Sequence, residues 1–254
     1  PMSDATTIPP TEKQNPFKRI LALLTHPGQF FAHDLGGWRL PMLAASLTLA
    51  LQTAVAGYFR AKAAAMGEVE LPTDWQWWTP EMQNNYMQAQ QATQGPVFVY
   101  VIPLVGALVS LWLGWMLVSG LLHLTSTLLG GRGSMGSAMS VVAWASLPFV
   151  LRDILRIIFM LAAGRAISSP GLSGFISGSE SPALFFGQLL GLLDIFFVWY
   201  LILTVIGFRV KDNLSGAKAV LGIAGVLLLI LLGQAALGML SQNLSGMLIS
   251  RPFF

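Results

Sequence analysis

Five stretches of the chain, residues 40–59, 97–122, 138–163, 183–208 and 217–239, are apolar almost throughout. A hydrocarbon core of about 30 Å takes about 20 helical residues at 1.5 Å each, and every stretch supplies that many. Backbone amides in lipid must bond within their own segment, so these stretches are predicted to be helices. Charge agrees with this. Lys, Arg, Asp and Glu make up 10% of the 254 residues, where an average soluble domain carries about a quarter, and the mean hydropathy is +0.66. The chain therefore reads as all-α, a polytopic membrane protein with five transmembrane helices and an N-terminal interfacial helix. A soluble core, a collagen-like chain and a disordered tail are excluded.

Orientation follows from Lys and Arg in the loops. With a cytoplasmic N-terminus, one side carries Lys13, Lys18, Arg19, Arg39, Arg132, Arg209, Lys211 and Lys218, and the other carries Arg60, Lys62, Arg165 and Arg251. Eight against four favours that choice and puts the C-terminus outside. The expected organisation is a flexible tail at 1–14, a cytoplasmic amphipathic segment at 15–37, a five-span membrane domain at 38–240 with an outer loop at 60–96, and an outer tail at 241–254. The first span is longer than the apolar core of a signal peptide and follows a long leader, so it is expected to be retained. The basic residues form no patch, which argues against nucleic acid; membrane lipids are the expected surroundings. With no cysteine and three scattered histidines, no metal or other cofactor is expected.

Three extramembrane pieces have readable structure. Asn15 can cap a helix that Pro16 opens, and Phe17, Ile20, Leu21 and Leu24 fall at i, i+3, i+4 and i+7, opposite Lys18 and Arg19. Such a helix lies on a membrane surface or in a partner's groove. After the break at Thr25-His26-Pro27-Gly28, residues 29–35 lead to Trp38, read as an aromatic anchor. In the outer loop, Trp75, Trp77 and Trp78 are expected at headgroup level, followed by a helix starting at Thr79-Pro80 with Met82 and Tyr86 on one stripe.

Gly131, Gly133 and Gly136 match the spacing G-x-G-x-x-G, and Asp153 follows about 20 residues later, as in a dinucleotide site. That site needs a strand before the glycines and a soluble helix after them, whereas here an apolar span precedes them and Asp153 lies inside another. A tight turn between helices accounts for Gly130, Gly131 and Gly133. Pro103 and Pro148 are expected to kink their spans. His123, near the inner end of the second span, reads as a structural hydrogen-bonding group.

Arg152, Asp153 and Arg156 fall in the third span and Asp194 near the middle of the fourth. Charges at bilayer depth are costly and must find partners. Two cations and two carboxylates neutralise one another, which favours an internal salt bridge between the spans, Arg152 with Asp194, over an ion or substrate path. Gly187, Gly191 and Asp194 fall at i, i+4 and i+7, a small-residue face for close helix packing.

The order of several short segments is similar to that of the Yip family, membrane proteins first named for binding Ypt/Rab GTPases. They are Leu-Leu-Thr-His-Pro-Gly-Gln-Phe-Phe at 23–31 with Trp38 after it, Leu-Gly-Gly-Arg-Gly-Ser at 129–134, Ala-Ser-Leu-Pro at 145–148, and Lys-Asp-Asn-Leu-Ser-Gly-Ala-Lys-Ala at 211–219. The resemblance covers roughly 20–240 and implies a five-helix domain with a cytoplasmic N-terminus. The Asp-Leu-Tyr-Gly-Pro motif of eukaryotic members is absent, which points to a bacterial plasma-membrane protein and away from a Rab partner. It also implies no enzymatic reaction and, by analogy with bacterial members, an accessory subunit binding other membrane-protein subunits, the permease or periplasmic adaptor of an ABC-type exporter. The competing classes are a small transporter or channel using the intramembrane charges and, more weakly, a membrane-bound enzyme.

Overall fold

The computed structural model describes residues 16–66, 71–72, 74–93, 95–168, 171–176 and 181–250. Among them every regular element is a helix. In chain order these are α1 (Pro16–Thr25), α2 (Pro27–Ala32), α3 (Arg39–Ala65), α4 (Pro80–Thr93), α5 (Ile102–Leu128), α6 (Met135–Ala145), α7 (Leu147–Ala163), α8 (Ser181–Leu192), α9 (Ile195–Lys211), α10 (Gly216–Lys218) and α11 (Gly225–Ser250). Proline sets many of the starts: Pro16, Pro27 and Pro80 open α1, α2 and α4, and Pro103 and Pro148 sit in the first turns of α5 and α7. A first-turn N–H has no helical partner anyway, so its loss costs nothing there. The expected tail 1–14 and the Asn15 cap lie outside the described residues, as do residues 251–254.

Three continuous helical stretches, Arg39–Ala65, Val97–Leu128 and Gly216–Ser241, are long and apolar enough to cross a membrane. The expectation of five unbroken spans is corrected in two places. The third predicted span is two helices, because α6 ends at Ala145 and α7 restarts at Leu147. Pro148 cannot donate to the ladder, and the Ser146 hydroxyl turns back onto the Ala143 carbonyl at 2.7 Å, so a break replaces the predicted kink. The fourth is α8 and α9, bent by 63° at Leu193-Asp194. Pro103 likewise starts a helix, behind a π turn at Val97–Val101, where a mid-span kink was expected.

Helix α6 sits at the centre. Ser140 through Ala145 are all buried, which fits a helix apolar on every side. It packs on α5 and α9, while α3 lies along α7, α8 along α11, and α2 along α9. The main core joins Leu23 of α1, Phe31 of α2, Met42 of α3, Leu122 of α5, Trp144 of α6, Leu203 and Phe208 of α9, and Ile223 of the π turn Ala219–Ala224. A smaller cluster of Ala56, Phe59 and Met160 fixes the other end of α7 against α3.

Candidate functional site

At one end of the bundle two of the segments that carry the family likeness, 129–134 and 211–219, meet. The last turn of α5 and the end of α9 are joined by a hydrogen bond from the Ser126 hydroxyl to the carboxylate of Asp212, 86 residues on. Arg132 N–H reaches the Asp212 carbonyl at 3.3 Å and Gly131 N–H reaches the Ser126 carbonyl at 2.8 Å. The glycines are explained by contact: a Cβ on Gly133 would overlap Asp212 Oδ1, and one on Gly131 would overlap Ser126 Oγ. Lys218 Nζ, from the same motif as Asp212, closes the junction on the Leu129 carbonyl at 2.8 Å. Asp212 is 2% exposed. That burial pushes its carboxyl above the usual range, while the Ser126 hydroxyl and nearby His123 pull the other way. His123 itself keeps a buried Nδ1 with no hydrogen-bond partner.

The N-terminal segment is tied to the same end. Trp144 Nε1 donates to the carbonyls of Leu35 at 3.1 Å and Gly37 at 3.0 Å. Arg19 also bonds the Leu35 carbonyl and lies over the Trp144 ring. Phe30 meets that ring edge-on at 5.0 Å, and Lys211 Nζ holds the His33 carbonyl at 2.8 Å. Helix α1 buries Leu23 completely and leaves Leu21 61% exposed, with Leu24 half-buried; the Phe17 side chain lies outside the described residues. Leu23, Trp144, Ser126 and Asp212 were not singled out as site residues by sequence. Leu23 and Asp212 lie inside the family-like segments and Ser126 and Trp144 just before two of them, and no spacing rule reveals that these positions meet.

The intramembrane charges form the second constellation. Arg152 Nη1 lies 3.5 Å from Asp194 Oδ2, Arg156 Nη2 lies 3.8 Å from the same oxygen, and Arg152 Nε lies 3.5 Å from Asp153 Oδ1. Asp194 is not mid-helix, as the unbroken span required. It caps α9, its Oδ1 accepting from Phe197 N–H at 2.8 Å. The break therefore separates Asp194 from the Gly187–Gly191 face, which is a correction to the single stripe expected. Gly187 has open space where a Cβ would stand, so it makes no tight helix contact, and Gly191, in the last turn of α8, turns its carbonyl toward Gly171.

The tryptophans divide. Trp38 packs on Trp115 at 4.9 Å and Trp112 at 5.8 Å, inside the bundle's aromatic layer. Trp75 and Trp78 close on Tyr86 of α4, which Thr79 caps, and Trp77 stands 81% exposed. Among the described residues no group of three His, Asp or Glu could hold a metal ion.

These features define a multi-pass α-helical membrane protein whose helix-end turns are locked to an N-terminal cap and whose deep charges are paired with one another. The chain belongs to the Yip family: residues 21–237 match the model of the Yip1 domain. Neither the curated proteins nor the solved structures compared with the chain gave a match.

Proposed function

We propose that this Yip-family protein is a non-enzymatic accessory or scaffold subunit of a bacterial plasma-membrane complex, with the partner an ABC-type exporter and its periplasmic adaptor. The observation that carries the reading is the N-terminal cap. Leu23 and Phe31 spend one face of α1 and α2 on the bundle, while Leu21, on the same short helix as Leu23, stays 61% exposed. An exposed leucine on a helix that is itself anchored offers a contact for a partner. The groups able to do chemistry are engaged structurally: Asp194 in a cap and two ion pairs, Asp212 in the turn junction. The excess of Lys and Arg on the side holding this end supports a cytoplasmic placement.

The test is affinity purification from native membranes in mild detergent. Exporter subunits should co-purify with the parent, and Leu21→Glu should release them without lowering thermal stability, whereas Leu23→Glu should unfold the cap itself. Recovery of a lone protein that transports ions or solutes in liposomes would overturn the reading.

A further inference from the structure

A cavity of about 280 Å³ lies among α3, α5, α6, α7, α9 and α11 at mid-depth of the long helices. Its walls are mainly apolar, including Trp115, Phe149 and Leu231. Of the four intramembrane charged groups only Arg152 reaches it. The cavity therefore faces one positive charge, although the cluster as a whole is neutral. Arg152 is also incompletely used: Nε is buried with no hydrogen-bond partner, and its carboxylate contacts are at 3.5 Å, long for a charge-assisted bond. Its guanidinium stacks on Phe149 at 4.6 Å, which fixes its plane beside the cavity. Ser110 of α5 and Gln234 of α11 line the cavity and are exposed, so it opens sideways toward lipid between those helices.

We propose that this cavity binds a single-chain lipid acid, the acidic oxygens on Arg152 and the hydrocarbon tail leaving between α5 and α11. One lining cation matches a head with a single acidic group, and the apolar walls take the first methylenes of its chain. Entry from the bilayer needs no aqueous path. The inference is independent of which complex the protein joins.

Detergent-purified full-length protein would be titrated with palmitate, hexadecanol, phosphatidylglycerol and inorganic phosphate, read by native mass spectrometry and thermal shift. Palmitate should bind about tenfold or more tightly than hexadecanol, the margin of a charge-assisted hydrogen bond. Arg152→Gln should remove that preference. Because Arg152→Gln also leaves Asp194 with Arg156 alone, Gly114→Leu serves as the second variant: Gly114 lines the cavity and has open space at its Cβ position. It should abolish palmitate binding while the unliganded protein melts no lower than the parent. Equal binding of palmitate and hexadecanol, preference for phosphatidylglycerol, displacement by inorganic phosphate alone, or unchanged binding in Gly114→Leu would each overturn the proposal.

Discussion

The guanidinium of Arg19 lies 4.7 Å above the ring of Trp144, so a helix outside the bundle is clamped onto a residue at its buried centre. The indole answers with its N–H to Leu35 and Gly37, making Trp144 the point where cap and core are one structure. Trp144→Phe keeps most of the ring but leaves the Gly37 carbonyl without its donor and the Leu35 carbonyl with Arg19 alone, a loss of about 1–3 kcal/mol. Hydrogen exchange should quicken across α1 and α2 before the remaining helices respond. Unchanged protection of the cap would mean that Arg19 and the phenylalanines suffice.

Asp194 has two separable jobs. Asp194→Asn keeps an oxygen for the Phe197 N–H and removes only the charge, whereas Asp194→Ala removes both, so alanine should be the worse by about 0.5–2 kcal/mol. Either change leaves Arg156 without its carboxylate and Arg152 with Asp153 alone, a loss of up to about 3–5 kcal/mol for a buried pair broken on one side. The swap Arg152→Asp with Asp194→Arg should recover part of that loss but not the cap. Thermal unfolding of the series reads the order directly, and equal stability of the asparagine and alanine variants would remove the capping role.

The glycines of the Gly131–Gly136 turn should respond in opposite directions. Gly133→Ala drives a methyl into the Asp212 carboxylate, an overpacking cost of about 1–3 kcal/mol. Gly136, in the first turn of α6, meets only the Ser134 hydroxyl at 3.9 Å, so Gly136→Ala should be neutral or gain up to about 0.5–1 kcal/mol. Chemical unfolding in detergent separates them; equal effects would show that the turn relaxes around either.

Asp212 gives the junction a pH dependence with a definite sign. Its folded pKa is raised by burial above the unfolded value of 3.8, so the folded state holds its proton more tightly. Its contribution is then fully present below the unfolded pKa and is lost as pH rises through the folded one. Exchange protection of residues 129–134, corrected for intrinsic rates, should increase as pH is lowered from neutral toward that window. Asp212→Asn should flatten the profile.

The helical, membrane-embedded character is legible in the five apolar runs, and the pairing of Arg152 with Asp194 follows from the need of deep charges to neutralise one another. The helix breaks are harder to read. Pro148 marks the first, but whether proline kinks or ends a helix depends on where the freed carbonyls find donors, here the Ser146 hydroxyl. The second has no proline at all; its mark is Asp194, a strong capping residue inside an apolar run, which reads as a buried charge until the bend is seen. Helix α1 shows a different limit. Its leucines cover more than half the circumference, so periodicity selects Leu21 and Leu24 as readily as Leu23, and only packing against Phe31 and Trp144 decides.

The interrupted helices also constrain how the chain enters the bilayer during synthesis. At 1.5 Å per residue, α6, with 11 residues, and α8, with 12, reach about 17 and 18 Å, well short of a hydrocarbon core of about 30 Å. Neither can partition into lipid as a free-standing unit, and α7 brings three charges with it. These middle pieces gain their walls from other helices, α6 from α5 and α8 from α11, so a chain stalled before α11 should leave α8 without the helix it packs along.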